Sequence, residues 1–219
     1  MIDVYKRRLI QMLVSVMMCA AFSYAGFAQN CKDSGASAWN QTIRDVIADC
    51  ASEFLSPNKR LLLKFAPNGG MSIAGKTIHL RGPRVEAPAM VSWSPKSDVF
   101  FVNDGEGSGM TSTFRLFRVN GTQIYEDKAV EKAAVSLYRR GTGCNRTALD
   151  PNVYGFGWAE DGSKIYLLVQ ATVHEPCGSP YQFISLVVRT SDGKILETLT
   201  EEQTKERFGL LLPSSLFME

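Results

Sequence analysis

The sequence predicts a mainly β protein of the α+β class, whose antiparallel sheets come from two copies of one unit. In both copies a tryptophan-bearing strand is followed by a turn and an apolar strand. A polar loop then leads to a further strand that ends in Asn120-Gly121 or Asp192-Gly193, dipeptides that type I′ hairpins prefer. A short strand and a helical pattern close each copy. The unit is therefore a four-stranded meander followed by a helix, repeated along the chain.

The first 28 residues predict a secretory signal peptide. Basic residues at 6–8 precede a run without charge, 9–28, which ends in small residues. We expect cleavage after Ala28, which leaves residues 29–219 as a single β-rich domain in the periplasm or outside the cell. The alternative is a membrane anchor that stays uncleaved, because the run is about long enough to span a bilayer.

Charge argues against a nucleic-acid partner. The full chain has 24 basic and 22 acidic residues, and the leader holds three of the basic residues and Asp3. The mature chain is therefore neutral, with 21 of each sign, whereas nucleic-acid binding calls for a basic face. We expect no stable membrane insertion once the leader is removed.

Four cysteines of the mature chain predict disulfides, because an even number in an exported protein is typical of such bonds. They are Cys31, Cys50, Cys144 and Cys177. Three pairings are possible, and we expect Cys31–Cys50 and Cys144–Cys177. The spacings contain no C-x-x-C, so they favour neither a zinc site nor a thioredoxin-type motif.

The N-terminal part of the domain, 29–82, predicts one helix and two strands. Apolar residues recur at helical spacing from about 37 to 54, before Pro57, and predict a helix that packs on the core. Residues 61–65 and 77–80 predict strands, which an eroded first copy of the unit would also explain. The residues on the expected helix face are Trp39, Ile43, Val46, Ile47, Cys50 and Phe54.

The two units take up most of the rest of the domain. The first covers 83–140 and the second covers 141–209. An alanine-rich stretch that begins near Asp127 predicts the helix of the first unit. The capping box that starts at Thr200 predicts a short second helix, which ends at Gly209.

The two tryptophan strands resemble blades of TolB-like β-propellers. Trp93-Ser94-Pro95 is similar to the tryptophan-serine-proline-aspartate-glycine motif of that family, and so is the segment 158–162. The resemblance covers 88–125 and 153–197, and it implies an interaction platform. A closed propeller takes at least about four blades. Two units and a partial one therefore predict an open blade-like or sandwich arrangement.

The longer loops of the two units are predicted to share one end of the sheets. Strands of a meander alternate in direction, so the loops at 104–112 and 171–180 lie opposite the short turns. Binding residues concentrate on long loops held by a rigid sheet. The candidate ligand-binding residues at this end are Asp104, Glu106, Ser108, His174 and Glu175.

Catalytic and metal-binding motifs find little support in the sequence. The segment 105–109 does not fit G-x-S-x-G, and His174 lacks the spacing of a metal-ligand motif. We therefore expect no metal and no cofactor. The sequence favours a non-catalytic binding module whose partner is a protein or a cell-envelope ligand. The alternatives are a structural subunit and a hydrolase with a site scattered over Asp104, Ser108 and His174.

Overall fold

The structure is a computed structural model, and the residues that it describes lie in one compact unit, Asp33–Glu219. The described ranges are 43–46, 50–67, 70–73, 76–77, 84–105, 111–120, 123–142, 150–172 and 182–212. The predicted signal peptide lies outside them, and so do both histidines.

The described residues are mainly β, as the sequence predicts. They form thirteen strands. The strands are β1 (Ile43–Val46), β2 (Ser52–Leu55), β3 (Leu62–Phe65), β4 (Met71–Ile73), β5 (Lys76–Thr77), β6 (Ala89–Trp93), β7 (Val99–Asp104), β8 (Thr113–Asn120), β9 (Gln123–Asp127), β10 (Asn152–Trp158), β11 (Lys164–Gln170), β12 (Phe183–Arg189) and β13 (Ile195–Leu199).

These strands form three antiparallel sheets. The N-terminal sheet has the order β2-β3-β4-β5, the central sheet β1-β6-β7-β8-β9, and the C-terminal sheet β10-β11-β12-β13. Apart from β1, neighbours in each sheet follow one another in the chain. The described residues form neither a closed barrel nor a closed propeller, in agreement with the open arrangement that the sequence predicts.

The central sheet has an apolar core on each face, because its strands alternate large side chains between the two sides. Phe100 and Phe117 stack at 4.9 Å on the side of the N-terminal sheet. Phe101 and Phe114 pack on the other side, against the C-terminal sheet. The fold is therefore a stack of three sheets, and the central sheet is buried on both faces.

Two helices complete the described fold, and both were predicted. Helix α1 (Ala129–Thr142) buries Val130, Ala134 and Tyr138 in the core between the central and C-terminal sheets. Helix α2 (Glu201–Phe208) and the 3₁₀ turn Gly209–Leu211 cover the far face of the C-terminal sheet.

The predicted helix over 37–54 is wrong in its described part, which contains β1 and β2. Ile43, Val46 and Phe54 are buried as expected, but Ile43 lies in one core of the central sheet and Val46 in the other. One helix face cannot fill cores on opposite sides of a sheet. An extended chain can, because residues three apart point to opposite faces. β1 also gives β6 an antiparallel partner along four residues.

The first turn of each sheet has the same backbone geometry. The N–H of the first turn residue donates to the carbonyl of the residue five positions later. The residue three positions after the first donates its N–H to the carbonyl of the first residue, and it has a positive φ. These turns begin at Ser56, Ser94 and Ala159, and their positive-φ residues are Lys59 (61°), Ser97 (64°) and Gly162 (66°).

The two tryptophans within the described residues pack between neighbouring sheets. Trp93 is buried between the N-terminal and central sheets, and its indole N–H donates to the carbonyl of Phe54 at 3.3 Å. Trp158 is half-buried, stacks on Phe101 at 5.4 Å and donates to the Ser92 hydroxyl at 3.0 Å. Each tryptophan therefore joins two sheets.

Helices that could serve as membrane spans are absent from the part of the chain that the structure describes, since neither described helix has the length and apolar character that this requires.

Candidate functional site

Asp104 is the one predicted ligand-binding residue that falls within the described ranges. Glu106, Ser108, His174 and Glu175 lie outside them. Asp104 ends β7 and is only 3 % exposed. Its Oδ2 accepts from Arg115 at 3.3 Å, and its Oδ1 accepts from the backbone N–H of Glu86 at 3.2 Å. The carboxylate therefore points into the protein and supports the start of the loop.

Arg115 is the centre of a buried charge network at the long-loop end. Its Nε and Nη2 donate to the two carboxylate oxygens of Glu126 at 3.0 and 3.2 Å, while Nη1 reaches Asp104. The three side chains are at most 4 % exposed. Three strands, β7, β8 and β9, are thereby fixed to one another by charge-assisted hydrogen bonds.

Glu131, on the first turn of α1, lies close to this network. Burial raises the pKa of its carboxyl, and the neighbouring Glu126 and Asp150 raise it further. Lys128 and Arg115 oppose the shift without cancelling it. Among the described residues, the carboxyl groups of Glu126, Glu131 and Asp150 therefore lie near one another beside Arg115.

A second set of long-range bonds joins the central and C-terminal sheets near the same end. The Asn103 side chain donates to the carbonyl of Gly155 at 2.8 Å and accepts its N–H at 2.7 Å. Ser112 donates its N–H to the Asn152 side chain at 2.8 Å. These contacts satisfy the outer edge of β10, which would otherwise carry unpaired backbone groups.

A pocket of about 380 Å³ opens at the long-loop end of the C-terminal sheet. It lies between the last turn of α1, the start of β12 and the first residues of α2. The segment 171–180, which the sequence singled out for binding, leads directly into β12. The described residues that line the pocket are Tyr138, Thr142, Gln182, Phe183, Ile184, Thr200 and Glu201.

Several polar groups that line the pocket also serve the helix ends. The Thr142 hydroxyl donates to the carbonyl of Tyr138 at 2.9 Å. Thr200 is the N-cap of α2 and forms a capping box with Gln203, as the sequence predicts. Glu201 accepts from Lys205 at 2.8 Å, and both side chains are about 30 % exposed (30 % and 28 %). The pocket walls are therefore well ordered by local bonds.

The described residues offer little machinery for catalysis. They contain no group of three histidine, cysteine or acidic side chains arranged to hold a metal ion. Of the scattered hydrolase site considered from sequence, Ser108 and His174 lie outside the described ranges. Asp104 is committed to Arg115 and a backbone amide. The described lining of the pocket offers apolar side chains, hydroxyl groups and one carboxylate.

Cys50 is buried. The other three cysteines beyond residue 28, Cys31, Cys144 and Cys177, lie outside the described residues. The pairings Cys31–Cys50 and Cys144–Cys177 stay predictions.

No protein-family model, curated protein or solved structure matches this chain.

Sequence reasoning did not find the pocket. Its lining comes from three elements that are separated along the chain, and no short motif connects them. Thr200 was noticed, but as a helix cap, and Tyr138 as part of a helix. The signal that was available was indirect. The pocket lies where the alternation of strands places the longer loops, so the predicted end of the molecule and the pocket coincide.

Proposed function

We propose that this chain is an exported, non-catalytic interaction module of the periplasm or extracellular space. It binds a protein or cell-envelope ligand at its long-loop end. The observation that carries the proposal is the pocket of about 380 Å³ at this end, a size typical of ligand sites. Its mixture of apolar walls and hydroxyl groups supports recognition rather than reaction.

The proposal includes repetition of a blade-like unit, in three copies rather than the two and a possible partial one counted from the sequence. Each sheet contains four consecutive strands in meander order, and each first turn has the same backbone bonds. In the N-terminal sheet, Ser56-Pro57 occupies the position that Ser94-Pro95 has in the central sheet. Leu55 occupies the position of Trp93. These features support the resemblance to TolB-like blades, whose known use as platforms fits a binding role.

The outer faces of the stack support a module that works as an open platform. On the N-terminal sheet, Glu53 and Lys64 form an exposed ion pair at 2.6 Å. On the C-terminal sheet, Phe208 of α2 packs over Phe156 at 5.5 Å. Terminal repeats of stacked arrays commonly have such polar or covered outer faces.

Site-specific photo-crosslinking in cells that express the full chain tests the docking end. A photoreactive residue replaces Gln182 at the pocket rim or, as the matched control, Lys96 in a turn at the opposite end. Both native side chains are exposed. We expect a discrete adduct from position 182 that disappears when Thr142→Trp fills the pocket. An adduct from position 96 alone, or one from position 182 that Thr142→Trp leaves intact, would contradict docking here.

Export is tested separately by sequencing the N-terminus of the protein from cell fractions. We expect a chain that begins near residue 29 in the periplasmic or culture fraction. A chain that keeps its first residues and stays with the membrane would favour the anchored alternative.

A further inference from the structure

We propose that the pocket between α1, β12 and α2 takes an apolar ring or branched chain that carries a cationic nitrogen. The proposal rests on the function proposed above, since it names the chemistry of the ligand for the same end of the molecule.

The apolar part of the ligand follows from the walls. Phe183 and Ile184 line the pocket from β12, and Tyr138 lines it from α1. Tyr138 belongs to the core between the central and C-terminal sheets, and Phe183 belongs to the core beneath α2. The walls are therefore rigid, and a ring or branched chain that enters removes apolar surface from water without reordering them.

The cationic part follows from the groups at the rim. Glu201 contributes a carboxylate to the lining, and none of the described lining residues is basic. The last turn of α1 also ends here, and the carbonyl groups of a helix C-terminus attract positive charge. Of the two basic residues in that turn, Arg139 is paired with Asp150 at 2.6 Å and Arg140 is exposed, and neither of them lines the pocket. The rim is thus rich in hydrogen-bond acceptors.

The N-terminus of α2 does not reverse this preference. Its Thr200–Gln203 capping box already satisfies two backbone donors, and its first turn carries Glu201 and Glu202. An anionic ligand would meet the Glu201 carboxylate, and two of the backbone amides that could bind it are already occupied. A cationic nitrogen could instead donate to the Glu201 carboxylate, which lies beside the apolar wall of the pocket.

Lys205 is the one cation bonded to Glu201, and it does not block the site. The pair is an i,i+4 contact between partly exposed side chains, the kind that contributes little to stability. A carboxylate has about four lone-pair positions on its two oxygens. Glu201 can therefore accept from a ligand while it keeps Lys205, or exchange one for the other at small cost.

Titrations of the mature chain, followed by the backbone amide signals of residues 182–184 and 200–201, test the proposal. The probes are phenethylammonium, its neutral analogue 2-phenylethanol and the anion phenylacetate. A capped dipeptide of lysine and phenylalanine distinguishes a partner chain from a small solute as the source of the group. We expect saturable shifts at these residues, with phenethylammonium at least about tenfold tighter than the alcohol, since bonds to charged groups are the stronger ones.

Two charge variants in the same helical turn separate a direct contact from a general charge effect. Glu201→Gln should abolish the preference for the ammonium probe. Glu202→Gln, which removes the same charge from an exposed residue outside the lining, should keep it. Ile184→Trp should remove binding of every probe, and a melting curve like that of the parent shows that this variant is folded.

The outcomes distinguish the inference from the function on which it rests. If the alcohol or phenylacetate binds as well as the ammonium probe, or if Glu202→Gln acts like Glu201→Gln, the cationic part is wrong and the pocket remains a binding site. If no probe shifts the pocket signals while the crosslink at position 182 persists, the ligand chemistry fails and the docking end stands. Loss of both would overturn the pocket as a site.

Discussion

The two ends of the sheet stack are held together in different ways. At the turn end, three turns repeat the same backbone bonds, each within six consecutive residues. At the long-loop end, side chains hold the structure over long stretches of sequence, as when Asn103 bonds Gly155. The comparison teaches that the turns of one end are encoded locally and repeat, with bonds between sheets added to them, such as that from the Asn58 N–H to the Ser97 hydroxyl at 3.1 Å. The other depends on pairs of residues that meet only when the sheets are stacked.

The largest expected difference between the ends concerns Arg115. Arg115→Met removes the guanidinium that bonds the buried carboxylates of Asp104 and Glu126, which should lower the free energy of unfolding by about 3–5 kcal/mol. Urea denaturation at neutral pH measures it. The control is Lys64→Met, which breaks an exposed ion pair and should cost at most about 1 kcal/mol. Equal losses of unfolding free energy in the two variants would show that the buried network contributes no more to stability than the exposed ion pair.

The same substitution at both ends gives the next largest effect. Asn103→Ala leaves the N–H and carbonyl of Gly155 buried without their partner, at about 1–3 kcal/mol for each group. Asn58→Ala removes an exposed amide whose Oδ1 accepts from the Arg60 N–H, a bond that water can replace. The same Oδ1 accepts from the buried Ser56 hydroxyl, which keeps its bond to the Leu61 N–H. We expect a loss below about 1 kcal/mol there. Denaturant titrations of both variants measure the two losses of unfolding free energy. A larger loss for Asn58→Ala than for Asn103→Ala would contradict the comparison.

Glycine replacements probe the packing between sheets. A Cβ on Gly155 would lie 2.9 Å from ring atoms of Phe101 and Phe114. Because those rings are buried in the core, Gly155→Ala should destabilise by about 1–3 kcal/mol. Gly141→Ala in the last turn of α1 meets nothing within 4 Å. It should instead stabilise by up to about 1 kcal/mol. Thermal unfolding of the two variants shows whether each substitution raises or lowers stability. A stabilising effect of Gly155→Ala would mean that the sheets move apart easily.

The smallest effect tests whether the first turns are equivalent. Lys59 has a φ of 61° and an exposed side chain, while Gly162 has a φ of 66° at the matching position. Lys59→Gly should stabilise by about 0.5–1 kcal/mol, because glycine adopts this conformation without steric cost. Gly162→Ala should destabilise by at least as much. Changes of the same sign in the two variants would indicate that the turns differ in spite of their hydrogen bonds.

Local sequence was sufficient for most elements beyond residue 83. The tryptophan strands, the strands that follow them and both helices lie where alternation and the Thr200 capping box place them. The type I′ turn predicted at Asp192-Gly193 is wrong, because Gly193 has a positive φ and Asp192 does not. Each of these signals acts within a few residues, through φ preferences or neighbouring hydrogen bonds. The open arrangement followed in the same way, from the number of units that the chain can form.

Tertiary structure decided what depends on contacts between distant residues. The apolar residues at 43 and 46 were recognised as core, but only the stacking of three sheets shows that they face opposite cores, and this requires a strand instead of the expected helix. Asp104 was expected on a binding loop, and the burial of Arg115 beside it turns its carboxylate inward. The pocket exists because the last turn of α1 lies beside the first residues of β12 and of α2. Local patterns determine which residues are buried, whereas the position of their partners sets the face, the charge environment and the cavity.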